Sequence, residues 1–203
     1  MRLLREPRPA VLSVLIVIGF FGLSGCEEEL PPMLDFDTKF ADLLTDATDR
    51  ELCKFTFYKI CNRYDFYTGD SINVEVEKYA PEECMVILVW HTTDNTVNGG
   101  FRLAFSVRYN GDPDFRITEK HFEQLGLHEQ KTILAEVRDA ASEGELPETP
   151  KERQALMREL ERTVIESFDS RFRNACEEEM VEHKLAAYIR EHAAALSHLD
   201  EAK

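Results

Sequence analysis

Six histidines, His91, His121, His128, His183, His192 and His198, are the residues best suited to acid–base or metal chemistry near neutral pH. Glu179 and His183 stand four apart. On a helix that spacing puts them on one face, where a carboxylate and an imidazole could share a metal ion. Nothing in the sequence nominates a third ligand, so the pair reads as a chance neighbour on an acidic helix. His91 follows Trp90 at the end of an apolar run. It could be a base at a sheet edge, but a hydrogen-bonded structural histidine is the preferred reading. The chain has no Gly-x-Ser-x-Gly elbow, no His-Glu-x-x-His and no phosphate loop. Glu27-Glu28-Glu29 and Glu177-Glu178-Glu179 are charge runs that read as solvated faces rather than calcium ligands. No catalytic residue, metal ligand or cofactor is therefore assigned.

Chemistry of another kind is written at the N-terminus. Arg2, Arg5 and Arg8 precede an apolar run from Ala10 to Leu23. The run is short for a membrane span, which takes about 20 residues, and suits the apolar part of a signal peptide. It ends in Leu23-Ser24-Gly25-Cys26. This resembles the lipobox of bacterial lipoprotein signal peptides. The resemblance covers residues 1–26 only. It implies a thioether-linked diacylglycerol on Cys26, cleavage between Gly25 and Cys26, and acylation of the new amino terminus. Two or more acyl chains anchor stably where one does not. Residues 26–35 then form a short acidic tether that holds the following domain near the bilayer.

Four cysteines remain: Cys53, Cys61, Cys84 and Cys176. An even number in an exported chain predicts two disulfides. The same oxidising compartment argues against thiol catalysis. Thr48-Asp49-Arg50-Glu51 reads as a capping box, and Cys53, Phe57, Ile60, Cys61 and Tyr64 recur behind it at helical spacing. Eight residues of helix separate Cys53 from Cys61 by about 12 Å, too far to pair. Cys53–Cys84 with Cys61–Cys176, or Cys53–Cys176 with Cys61–Cys84, stay open.

The elements that would position these residues follow from periodicity. Phe36 to Leu44 suggests a first helix and Cys53 to Arg63 a second. Ile72, Val74 and Val76 alternate with polar residues, as in a half-buried strand. Cys84 to His91 is nearly continuous apolar sequence, as in a central strand. Asn98-Gly99-Gly100 signals a turn, and Phe101 to Tyr109 alternates again. The expected fold is α+β over residues 36–203: two N-terminal helices, a three- or four-stranded antiparallel sheet, then a helical C-terminal half. In that half Leu156, Leu160, Val164, Phe168, Phe172, Cys176 and Met180 recur every fourth residue. Each step of four advances about 40° around a helix. One straight helix therefore cannot keep the stripe on a flat surface. It must wrap obliquely or bend, near Ser170 to Asn174.

Removing the leader takes away three arginines and one glutamate and leaves 21 basic and 38 acidic residues, a net charge near −17. Such a surface repels nucleic acid and anionic lipid. Two candidate surfaces stand out. One is the Asp94 to Gly100 loop. The other is the outward sheet face carrying Asn73, Glu75, Glu77, Arg102, Ser106 and Arg108. The sequence thus predicts a non-catalytic envelope lipoprotein that binds a protein partner at the membrane surface. A small-ligand or peptide binder is the alternative, and an envelope hydrolase the third reading. Glu27 in place of Asp after Cys26 favours the outer membrane over the inner.

Overall fold

The computed structural model describes residues 38–64, 67–68, 71–106, 108–142, 146–147 and 149–200. All lie in one compact unit, Leu34–Lys203. The leader, Cys26 and the tether lie outside the described residues.

Helix α1 (Phe40–Asp46) is followed by α2 (Asp49–Arg63). The expected capping box starts α2: the Thr48 hydroxyl accepts the Glu51 N–H at 3.3 Å, and Glu51 Oε2 accepts the Thr48 N–H at 2.9 Å. Two short strands come next, β1 (Tyr67–Thr68) and β2 (Ser71–Glu75), then a 3₁₀ turn, Val76–Lys78. Helix α3 (Pro81–Ala104) runs through the centre, and β3 (Arg108–Asn110) follows it. The C-terminal half holds α4 (Arg116–Gln124), α5 (His128–Ala141), α6 (Pro150–Glu159), α7 (Arg162–Glu178), α8 (Val181–Glu191) and α9 (Ala193–Leu196). A final 3₁₀ turn spans Ser197–Asp200.

The fold is all-α, with nine helices among the described residues, and the expected α+β class is overturned. Strand among the described residues is confined to three short pieces: β2 pairs antiparallel with β1 and parallel with β3. The run read as a central strand is the core of α3. Ten consecutive residues, Cys84 to Thr93, are buried. A continuous apolar run suits a strand covered on both faces or a helix covered all round, and periodicity cannot separate them. Here α2, α4, α6, α7 and α8 all pack on α3. Ala80-Pro81-Glu82-Glu83, which resembles a turn, is the helix start: Pro81 sits in the first turn and Glu83 accepts the Ala80 N–H at 3.0 Å.

The Asp94 to Gly100 segment is helical as well. Gly100, at φ 72°, kinks α3 instead of closing a hairpin, and the Asp169 carboxylate of α7 accepts the next N–H, of Phe101, at 2.8 Å. Arg102 and Ser106 therefore lie at the end of α3; of the expected sheet face only Asn73, Glu75 and Arg108 fall in strands, with Asn73 and Arg108 as register partners.

The fourfold stripe is resolved by breaks rather than by a bend at Ser170 to Asn174. The chain leaves the helix at Leu160 and again at Met180, which takes the left-handed conformation at φ 54°. Each break resets which face meets the core, so no single helix has to carry the drift.

Buried charges tie these helices together. Asp112 caps α4 through the N–H groups of Ile117 (2.7 Å) and Thr118 (2.8 Å) and the Thr118 hydroxyl (2.7 Å). Arg138 pairs with Glu119. Arg153 donates to the carbonyls of Phe105 (3.2 Å) and Pro147 (2.8 Å). The C-terminal turn clasps the other end: Asp200 accepts the Phe40 N–H at 2.6 Å and the Lys59 ammonium at 3.1 Å.

Candidate functional site: a groove at the α7–α8 junction

A groove of about 440 Å³ opens where the N-termini of α2 and α8 meet the middle of α3 and the end of α7. Its floor holds Thr93 and Val97 from α3 and Cys176 from α7. Its rim holds Asp49 and Arg50, Arg173 and Glu177, and Met180 to His183.

Most of the rim charges neutralise one another. Asp49 accepts from Arg190 at 2.7 Å and meets His183 Nδ1 at 2.8 Å. The Arg190 bond holds the Asp49 carboxyl below the usual carboxylate range. Arg50 pairs with Glu182 at 3.0 Å. Arg173 is held differently: its Nε donates to the Val97 carbonyl at 3.2 Å. Among the described residues neither Arg173 nor Glu177 takes part in an ion pair.

The floor is apolar apart from two groups. The Cys176 thiol lies against Gln130 of α5, and burial pushes it up to about 12, so it is a protonated thiol at neutral pH. Thr93 is 6% exposed, and its hydroxyl has no hydrogen-bond partner among the described residues.

The other cysteines sit elsewhere, and neither expected disulfide pairing is formed in the structure. Cys53 donates to the Glu182 carbonyl at 3.4 Å. Cys61 lies buried on α2, and Cys84 in the first turn of α3, where burial raises its thiol to about 11. All four are protonated thiols held up by burial, Cys53 and Cys61 included.

The histidines do not converge. His91 stacks on Phe57 at 5.3 Å between ring centres, and burial depresses it to about 4, so it is neutral. His198 meets the buried Glu83 at 2.8 Å. Glu179 and His183 do not act together: Glu179 accepts the Glu129 N–H at 3.3 Å while His183 turns to Asp49. Among the described residues no group of three metal-ligating side chains comes together.

A family model of DMP19-like proteins matches residues 77–192. The chain belongs to the DMP19-like family. The DMP19-like region runs from the 3₁₀ turn before α3 to the end of α8. It contains Thr93, Val97, Arg173, Cys176, Glu177 and Met180 to His183, while Asp49 and Arg50 of the groove lie before it. No curated protein and no solved structure matches the chain.

The groove escapes a reading of the sequence because it is a junction. Thr93 falls between the run read as a strand and the segment read as a loop, and the α7–α8 break at Met180 falls at the end of the stripe read as one helix. A polar residue just after the apolar stretch Met85 to Trp90 is the one signal that points to Thr93.

Proposed function

We propose that this chain is a lipid-anchored, non-catalytic envelope protein that docks a basic protein partner. Surplus carboxylate carries the reading. Asp42, Asp46, Glu159, Glu161, Glu178 and Glu191 are exposed and enter no ion pair among the described residues. The fold therefore leaves much of the acidic excess facing solvent, where it steers and orients a positively charged surface. The buried charged groups that could do chemistry, Glu83, Asp112, Arg138 and Arg153, are all committed to bonds that hold helices together. Among the described residues no helix is long and apolar enough to cross a membrane, which suits attachment through lipid on Cys26.

Two measurements test the reading. Labelled palmitate should enter the full chain and be lost in Cys26→Ala; equal label in both refutes the anchor. A photo-crosslinker placed at Glu178 in cells should trap a partner whose affinity for the full chain falls steeply between 50 and 300 mM salt, about tenfold or more. A trapped protein whose binding ignores salt refutes the electrostatic docking.

A further inference from the structure

Acidic residues outnumber basic ones by 39 to 24 in this chain, so an arginine has carboxylates to choose from. Among the described side chains every arginine but two pairs with a carboxylate or donates to a backbone carbonyl. The two exceptions, Arg102 and Arg158, are exposed and line the same recess, of about 300 Å³, between the end of α3 and α6. No carboxylate lines it among the described residues. Arg102 also borders a second recess with Arg162, but there the charges are balanced: Arg162 pairs with Glu166 at 2.6 Å and Asp169 takes the Phe101 N–H.

The two walls of the first recess are built alike. The α3 side supplies Arg102, Leu103 and Ser106, and the α6 side Gln154, Met157 and Arg158. Arg102 with Ser106, and Gln154 with Arg158, are spaced by four and so share a face. Met157 is buried and forms the floor, while Leu103 is 42% exposed. Gly99 makes room for Leu103 to lie back on α3, since a Cβ there would come within 2.5 Å of it. The buried Arg153, beside Gln154, fixes one wall to the other through the Phe105 carbonyl. Ser106 Oγ donates to the Leu103 carbonyl at 2.6 Å and keeps its lone pairs to accept.

This volume is at the lower limit for a whole small molecule and suits one side chain of a larger one. Arginine, methionine and an exposed aliphatic side chain together have the make-up of an interface centre. A neutral segment would cover both guanidinium groups unpaired, which is costly, whereas an acidic segment pairs them. We infer that this recess docks an extended acidic segment of a partner protein. A leucine-sized side chain enters between Leu103 and Met157. Carboxylates two residues before and after it lie on Arg102 and Arg158, because alternate side chains of an extended chain share a face. Gln154 and the Ser106 oxygen bond the segment's backbone. The site is separate from the surplus carboxylates that face a basic surface, and its failure leaves that reading standing.

Fluorescence anisotropy on the full chain in non-ionic detergent tests this, with the labelled, end-capped peptide Glu-Ser-Leu-Ser-Glu as probe. Saturable binding is expected. Replacing both glutamates of the probe by glutamine should weaken it about tenfold or more. Arg102→Gln and Arg158→Gln should each weaken it about fivefold at an unchanged melting temperature, since both side chains are exposed. Absence of saturable binding at millimolar peptide overturns the inference. So does equal binding of the glutamate and glutamine peptides, or undiminished binding to both arginine variants. Displacement of the probe by an equal concentration of inorganic phosphate, or of phosphatidylglycerol added to the micelles, overturns the choice of a peptide.

Discussion

Helix α3 carries two buried polar sites that solve the same problem in opposite ways. At its first turn, Glu83 is fully buried and its carboxylate is fully used. It accepts the Tyr64 hydroxyl at 2.9 Å and the Ala80 N–H at 3.0 Å, and meets His198 at 2.8 Å. Three segments distant in sequence, the end of α2, the start of α3 and the C-terminal turn, are joined through one side chain. Ten residues further along, the Thr93 hydroxyl is almost as buried and joins nothing among the described residues. Burying a polar atom is tolerable when its bonds are replaced and costly when they are not. The closed corner therefore reads as a fastening of the fold. The unsatisfied one reads as a cost the fold carries without return.

Removing the fastening should have the largest effect. Glu83→Ala strands the Tyr64 hydroxyl, the Ala80 N–H and the His198 ring together, and should cost about 3–5 kcal/mol in urea denaturation. A cost below about 1 kcal/mol would mean that water takes over those partners, and the contrast with Thr93 would vanish.

Between the two sites lies His91, stacked on Phe57 in the α2–α3 seam. Its folded value is depressed to about 4 by burial, against about 6.5 for an unfolded histidine. Between those values the unfolded chain binds more protons than the folded one. The stability that neutral His91 permits is therefore complete above about pH 6.5 and is lost as pH falls toward about 4. The loss should reach about 3 kcal/mol. His91→Phe keeps the stack and removes the proton. It should flatten this part of the stability–pH curve, read from urea midpoints at pH 7, 6, 5 and 4.5. An unchanged slope in the variant would assign the acid sensitivity to other groups.

Local signals and long-range arrangements were unequally legible in the sequence. The capping box at Thr48 to Glu51 places α2 because both of its bonds lie within four residues. Pro81 and Glu83 carry an equally local start signal for α3. The apolar run behind them outweighed it, because a residue string does not say whether one layer or a ring of helices will cover it. Gly99-Gly100 reads as a hairpin turn for a related reason: a positive φ is needed there, but Asp169, 69 residues away, turns it into a kink within a helix. The drift of the fourfold stripe was visible, and its release at Met180 was not. The groove depends on that release. Residues such as Arg173 and Thr93 become neighbours only through packing, so the sequence could name neither as part of a site.

The smallest expected effect is the sharpest test of the contrast, because it predicts a sign. Thr96 lies one turn beyond Thr93 on the same helix and is buried too, but its hydroxyl donates to the Thr92 carbonyl at 2.8 Å. Thr96→Val removes a made bond and should cost about 1 kcal/mol. Thr93→Val removes a hydroxyl that has no bond among the described residues. It should be neutral or stabilise by up to about 1 kcal/mol. The two substitutions delete the same oxygen from the same kind of site, so propensity and volume cancel between them. What is left is whether the oxygen was paired. Equal losses in both, measured by urea midpoint, would mean that Thr93 is satisfied within the fold. A loss at Thr96 with none at Thr93 would show that the cost of burying a hydroxyl is set by its pairing and not by its position on α3.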